Sequence, residues 1–186
     1  MPYIPLDEKL PGITGLLDYR KDTALPIREL TQILLRGESS LSEAEREMIA
    51  SVVSYGNDCA FCTAAHTAAT DHLLGEKDTS VKIKENIASA PVSEKMKSLL
   101  TIAGAVQVSG KNVKPEMIET AKKNGATDLE IHDTVLIAAL FSLYNRYVDG
   151  LSSVTPAEPA FYERLAGILV QRGYLPSENR YAGLTK

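Results

Sequence analysis

Leu41-Ser42-Glu43-Ala44-Glu45-Arg46-Glu47-Met48-Ile49-Ala50 starts one helix, and Gly56-Asn57-Asp58-Cys59-Ala60-Phe61-Cys62-Thr63-Ala64-Ala65-His66 ends it and starts another. Ser42-x-x-Glu45 is a capping box, in which each side chain satisfies a backbone N–H of the first turn. Ile49, Val52 and Val53 then fall on one side of the helix. Gly56 or Asn57 ends it, and Asp58 reads as the cap of the next helix, which runs from near Cys59 to about Leu74 and stops at Gly75. No strand pattern precedes Cys59, which argues against a thioredoxin-like unit, where the dithiol follows a β-strand.

The same punctuation continues in both directions. Upstream, Pro26 fits the first position of a helix reaching Arg36 and stopped at Gly37, with residues 1–24 as an irregular arm. Downstream, helices are expected from Thr79 to about Ser89, Ser93 to Val108, Pro115 to Lys123, Thr127 to Val148 and Pro156 to about Gln171. Thr127-x-x-Glu130 is a second capping box, and the two similar helix starts hint at an internal duplication of a helical unit. The run Val135–Phe141 makes the 127–148 helix apolar around much of its circumference, as suits a central or interface helix. No period-2 alternation bounded by hairpin turns is found, so the expectation is an all-α bundle of roughly seven helices. The organisation is one domain over 1–186: an arm (1–24), a helical core (25–173) and a surface tail (174–186).

Composition narrows the function. The chain has 186 residues, 44% hydrophobic and 24% charged, enough to bury a core without disulfide staples. A net charge of −4 argues against a nucleic-acid footprint and against attraction to an anionic membrane. The longest apolar run is far short of the ~20 residues of a spanning helix. Met1–Glu8 has neither a basic patch nor an apolar stretch, so no signal peptide is read and the cytoplasm is the expected location.

Two cysteines are not a disulfide framework, so the Cys59-x-x-Cys62 spacing needs its own explanation. On a helix, Cys59, Cys62 and His66 fall at i, i+3 and i+7 on one face. The two Cα atoms can lie about 5–6 Å apart, within disulfide range. The positive end of the helix favours a thiolate there, and His66 can exchange a proton with the Cys62 sulfur. Three readings stay open on these residues: a redox dithiol, a metal site, or two inert buried thiols beside a core histidine. A metal site needs a fourth ligand, for which Glu47, His72 or His132 would have to fold into place. Haem attachment is excluded, because residue 63 is Thr where Cys-x-x-Cys-His needs His.

The stretch Leu34-Leu35-Arg36-Gly37, then Leu41 to Ala50, then Cys59-x-x-Cys62-x-x-x-His66 resembles the alkylhydroperoxidase D (AhpD)-like branch of the carboxymuconolactone decarboxylase superfamily. The block from Gly125 to Phe141-x-x-Tyr144-Asn145-Arg146 is similar to the downstream part of that family's peroxidase-related members. The decarboxylase branch lacks the two cysteines. The resemblance implies an AhpD-like bundle and a thiol-dependent hydroperoxide reductase. Cys62 would be the peroxidatic cysteine, Cys59 its disulfide partner, and His66 and Glu47 the proton relay. It also implies a dithiol reductant such as a lipoyl protein, a homo-oligomer, and no cofactor or metal. Glu47 enters by resemblance alone, since periodicity leaves it on the preceding helix. The chain departs from the pattern at Phe61, where the best-known members carry His, and a packed Phe61 would make the site drier.

Other functions remain in contention. A non-enzymatic thiol redox sensor, a protein-disulfide oxidoreductase and a metal-binding scaffold are the alternatives. Asn145 and Arg146 fit a polar helix end or the rim of the site. His72 and His132 read as surface or packing residues, and Tyr55 as a core residue, with the pocket wall as its other place.

Overall fold

A computed structural model describes residues 1–177 together with Tyr181 and Leu184. Among these residues the chain is all helical: α1 (Ile13–Tyr19), α2 (Lys21–Arg36), α3 (Glu43–Gly56), α4 (Ala60–Leu74), α5 (Asp78–Glu85), α6 (Glu94–Val108), α7 (Pro115–Lys123), α8 (Asp128–Gly150) and α9 (Pro159–Arg172). Short 3-10 turns at Ile87–Ser89 and Gly110–Asn112 link α5 to α6 and α6 to α7. The expected 79–89 helix is thus an α-helix followed by a separate 3-10 turn. No helix among the described residues is long and apolar enough to cross a membrane.

Both capping boxes form. Ser42 Oγ accepts from the Glu45 N–H and Thr127 Oγ1 from the Glu130 N–H, with each glutamate returning to the cap N–H. α3, α4, α6 and α8 pack together at the centre, and α9 lies along α4. Their contacts bury Ile49, Val53, Leu99, Ile102, Ile137 and Phe141 almost completely. Between α2 and α3, Arg46 places its guanidinium at the end of α2 and donates to the Leu34 and Gly37 carbonyls at 3.2 and 2.9 Å. A cation there satisfies carbonyls that the helix leaves unpaired.

Three local expectations are corrected. The 1–24 arm contains α1, and α2 begins at Lys21, so Pro26 lies inside a helix. Pro26 is near enough to the start that its missing N–H leaves only the Asp22 carbonyl without an intrahelical donor. Asp58 does not cap α4: it takes a left-handed φ of +57° to turn the chain, and Cys59 becomes the N-cap residue. The segment after α9 is no surface arm. Tyr174 and Leu184 are buried, and the Tyr174 N–H donates to Gln32 Oε1 at 2.6 Å. Residues 178–180, 182–183 and 185–186 of that tail lie outside the described residues.

Candidate active site

The site is built on the α3–α4 pair, whose helices are joined only by Asn57, Asp58 and Cys59. Cys59 sits at the N-cap and Cys62 one turn in, so both sulfurs lie at the mouth of α4. Both are free thiols, 0% and 3% exposed. Cys59 is close enough to Cys62 to raise the Cys62 pKa. His66 follows one turn later on the same face, nearly buried, with its ring edge-on to Phe141 at 4.4 Å.

Glu47 reaches this group from α3. Its Oε2 lies 2.6 Å from His66 Nδ1. Its Oε1 accepts from Arg36 Nη2 and from the Tyr174 hydroxyl, both at 2.6 Å. The Arg36 guanidinium also lies 5.1 Å from the centre of the Tyr174 ring. Burial by itself would push the Glu47 carboxyl up, but His66, Arg36 and Tyr174 outweigh it and hold Glu47 at about 2. Burial and the Glu47 charge push the Tyr174 phenol well above its ordinary value, so it stays a donor.

An ionised carboxylate only accepts hydrogen bonds. It therefore requires the hydrogen of His66 on Nδ1 and leaves Nε2 as the basic nitrogen. Of the four residues expected from the sequence, Glu47 and His66 are hydrogen-bonded, His66 and Cys62 line one cavity, and Cys59 stands at the N-cap one turn from Cys62.

The helix end, expected to favour a thiolate, does not prevail at Cys62. The neighbouring Cys59, and then burial, push the Cys62 thiol well above the ordinary thiol value. Burial and the neighbouring thiol outweigh the helix terminus here. One group works the other way: the Asn145 amide lowers the Cys62 pKa.

That amide has a fixed orientation. Gln107 Nε2 donates to Asn57 Oδ1 at 2.9 Å, and Asn57 Nδ2 donates to Asn145 Oδ1 at 2.8 Å. Asn145 Nδ2 is left to donate to Ser54 Oγ at 3.1 Å. Asn145 is 1% exposed and is tied to Asn57 at the α3–α4 junction, whereas Arg146 is exposed and donates to the Ser142 carbonyl of its own helix. Near Cys59, burial pushes the Asp149 carboxyl up, and the Cys59 thiol partly offsets it.

Phe61 packs on Phe161 and Tyr162, with ring centres 6.4 and 5.8 Å away. The N-terminal arm presses on this ring at Gly12, where a Cβ would come within 2.3 Å of it and φ is +61°. A cavity of about 50 Å³ lies over Cys62, His66, Phe61, Phe141 and Tyr144. By volume it holds roughly three waters.

Residues outside the sequence expectation complete the site. Arg36, Tyr174 and Asp149 carry no spacing signal, and Asn145 had two places open to it. Tyr55 is neither core nor wall, being 54% exposed. His72 and His132 lie on the surface, away from the dithiol. Among the described residues no group of three or more His, Cys, Asp or Glu side chains is placed to hold a metal ion.

Residues 23–90 match the model of the carboxymuconolactone decarboxylase family. The chain is similar to a peroxidase-related protein from Silicibacter sp. TM1040, at 27% identity over 82% of this chain and 78% of that one, with a TM-score of 0.74. It shares its fold with the AhpD-core, peroxidase-related protein from Ralstonia eutropha JMP134, at 20% identity over 89% and 96% and a TM-score of 0.77. A protein of unknown function from Agrobacterium tumefaciens matches at 18% identity over 85% and 100%, with a TM-score of 0.66. No curated protein sequence matches the chain.

Proposed function

The chain carries a carboxymuconolactone decarboxylase family domain on an AhpD-like fold, and from that premise we propose that it is a thiol-dependent reductase of organic hydroperoxides. The observation that carries this is the buried Glu47–His66 pair, whose histidine lines the same small cavity as Cys62, one turn from Cys59. An inert thiol pair needs no such base.

The steps follow from the protonation states. Cys62 rests as a thiol, so the base is needed when the peroxide arrives. His66 takes the Cys62 proton at Nε2, and Glu47 stabilises the imidazolium through Nδ1. The sulfur attacks the terminal oxygen of R–O–O–H: an S–O bond forms and the O–O bond breaks. The proton on His66 goes to the departing alkoxide, giving R–OH and a sulfenic acid on Cys62. Asn145 supplies an N–H to the sulfur as charge develops.

Cys59 then attacks the sulfenic sulfur. A disulfide forms, and the hydroxyl leaves as water with the Cys59 proton, for which Asp149 is the adjacent acceptor. A dithiol supplies two electrons and two protons to reopen the bond. Both sulfurs are buried, so the reductant reaches them only when the cover opens.

The test is turnover. With alkyl hydroperoxide and excess dihydrolipoamide, many equivalents of peroxide are consumed per chain. A redox sensor stops after one, and that result overturns the proposal.

A further inference from the structure

The dithiol cavity shares a wall with a larger opening. Thr14, Leu17, Arg28 and Tyr181 line the cavity of about 50 Å³, and the same four residues line a surface groove of about 410 Å³. The groove is bounded by α1, by α2 and by the segment after α9, and it continues over Leu10 and Leu25. Its walls are largely apolar, and its Lys21 and Asp18 pair with each other at 3.5 Å.

Arg28 is therefore the charge that stands where cavity meets groove. It is half-buried, and its hydrogen bonds go to neutral oxygens: the Tyr174 carbonyl at 3.2 Å and the Tyr181 hydroxyl at 3.3 Å. Both leave from Nη1, and the guanidinium lies 6.0 Å from the centre of the Tyr181 ring. Arg28 forms no ion pair among the described residues. A guanidinium with an uncommitted edge beside apolar walls matches the two oxygens of a carboxylate in a planar fork. Its stacking on the tyrosine holds that fork in place.

We infer that the substrate is an organic hydroperoxide that carries a carboxylate. The peroxide end enters the cavity beside Cys62 and His66, the carboxylate rests on Arg28, and the remaining apolar chain lies along the groove. This rests on the reductase reading for its chemistry and on Arg28 alone for its selectivity. The redox balance is unchanged: R–O–O–H becomes R–OH, and the carboxylate is a spectator.

The experiment compares a fatty-acid hydroperoxide with its methyl ester as substrates for the full chain, in wild type, Arg28→Gln and Arg28→Lys. A charge-assisted hydrogen bond supports a preference for the acid of about tenfold or more in kcat/KM. That ratio falls toward one in Arg28→Gln and is partly kept in Arg28→Lys. A second arm needs no turnover: calorimetric binding of decanoate and of 1-decanol to the reduced protein. Decanoate binding weakens about tenfold in Arg28→Gln, while 1-decanol binding does not follow the charge. Equal rates for acid and ester in wild type, with decanoate binding indifferent to Arg28, overturn the inference and leave the reductase reading standing. Decanoate binding through Arg28 without peroxide turnover overturns the reductase reading and keeps the carboxylate site.

Discussion

Replacing Glu47 with Gln keeps the size of the side chain and removes its charge, which separates stability from catalysis at one position. In the folded chain Glu47 is held at about 2 against 4.5 for an ordinary glutamate. That difference corresponds to about 3 kcal/mol of stabilisation of the ionised form. The variant also leaves Arg36, with its side chain 4% exposed, without its buried partner, and stranding a charge in this way costs about 3–5 kcal/mol. A loss of roughly 3 kcal/mol in denaturant melts is therefore expected.

The catalytic effect has a different origin. The Gln amide can donate to His66 Nδ1, which places the imidazole hydrogen on Nε2 and removes the base. The corresponding loss in peroxide reaction rate is about 10²–10⁴-fold. The assay is single-turnover thiol oxidation by an alkyl hydroperoxide, run where melts show the variant fully folded. A folded Glu47→Gln protein that oxidises at the wild-type rate would refute the tautomer argument. A variant destabilised by less than about 1 kcal/mol would refute the electrostatic one.

Three more outcomes follow from the same geometry. Asn145→Ala removes the amide donor to Cys62, so the thiol pKa rises further and the peroxide reaction slows by about tenfold, read from the pH dependence of Cys62 alkylation; an unchanged profile separates Asn145 from the sulfur. Tyr174→Phe removes one of the Glu47 donors and costs about 1.5–3 kcal/mol; a shifted pH profile of peroxide consumption marks coupling to the relay, and an unshifted one marks a purely structural bond. The Glu47 contribution has a definite sign with pH: the folded value lies below the unfolded one, so the stability it supplies is present above about 4.5 and is lost as pH falls toward about 2. Denaturant melts across that window show a steeper slope in wild type than in Glu47→Gln, which keeps the slope of Glu130, also held at about 2.

Much of this was legible because helices announce their ends locally. The capping boxes at Ser42 and Thr127 and the stop at Gly75 are readable within a few residues, and all three are formed. The elements misread near the N-terminus depend on tertiary context. α1 is only seven residues long and is held in place by packing and by the Gly12 turn against Phe61. Within the site, Cys59, Cys62 and His66 share one helix face, so spacing finds them.

Glu47 lies 19 residues before His66, on another helix, and needed a family resemblance to be noticed. Tyr174 lies 127 residues from the carboxylate it bonds, and no periodicity links them. Arg36 reads as an ordinary basic residue near a helix end, which is a frequent solution for free carbonyls. Its burial and its bond to Glu47 come from the packing of α2 on α3. Phe61, anticipated as a packed ring in a drier site, is packed against α9 and the N-terminal arm.

The central claim, that Cys62 is oxidised by peroxide and Cys59 closes the disulfide, is tested most directly by counting thiols. Fully reduced protein, freed of reductant, is exposed to alkyl hydroperoxide beside Cys62→Ser and Cys59→Ser, and the products are identified by mass spectrometry. The account predicts loss of both thiols in wild type, far faster than for a free thiol, with a Cys59–Cys62 disulfide as product. It predicts a trappable sulfenic acid on Cys62 in Cys59→Ser, and no fast reaction in Cys62→Ser. Wild-type oxidation no faster than a free thiol, or unchanged peroxide consumption in Cys62→Ser, would contradict it.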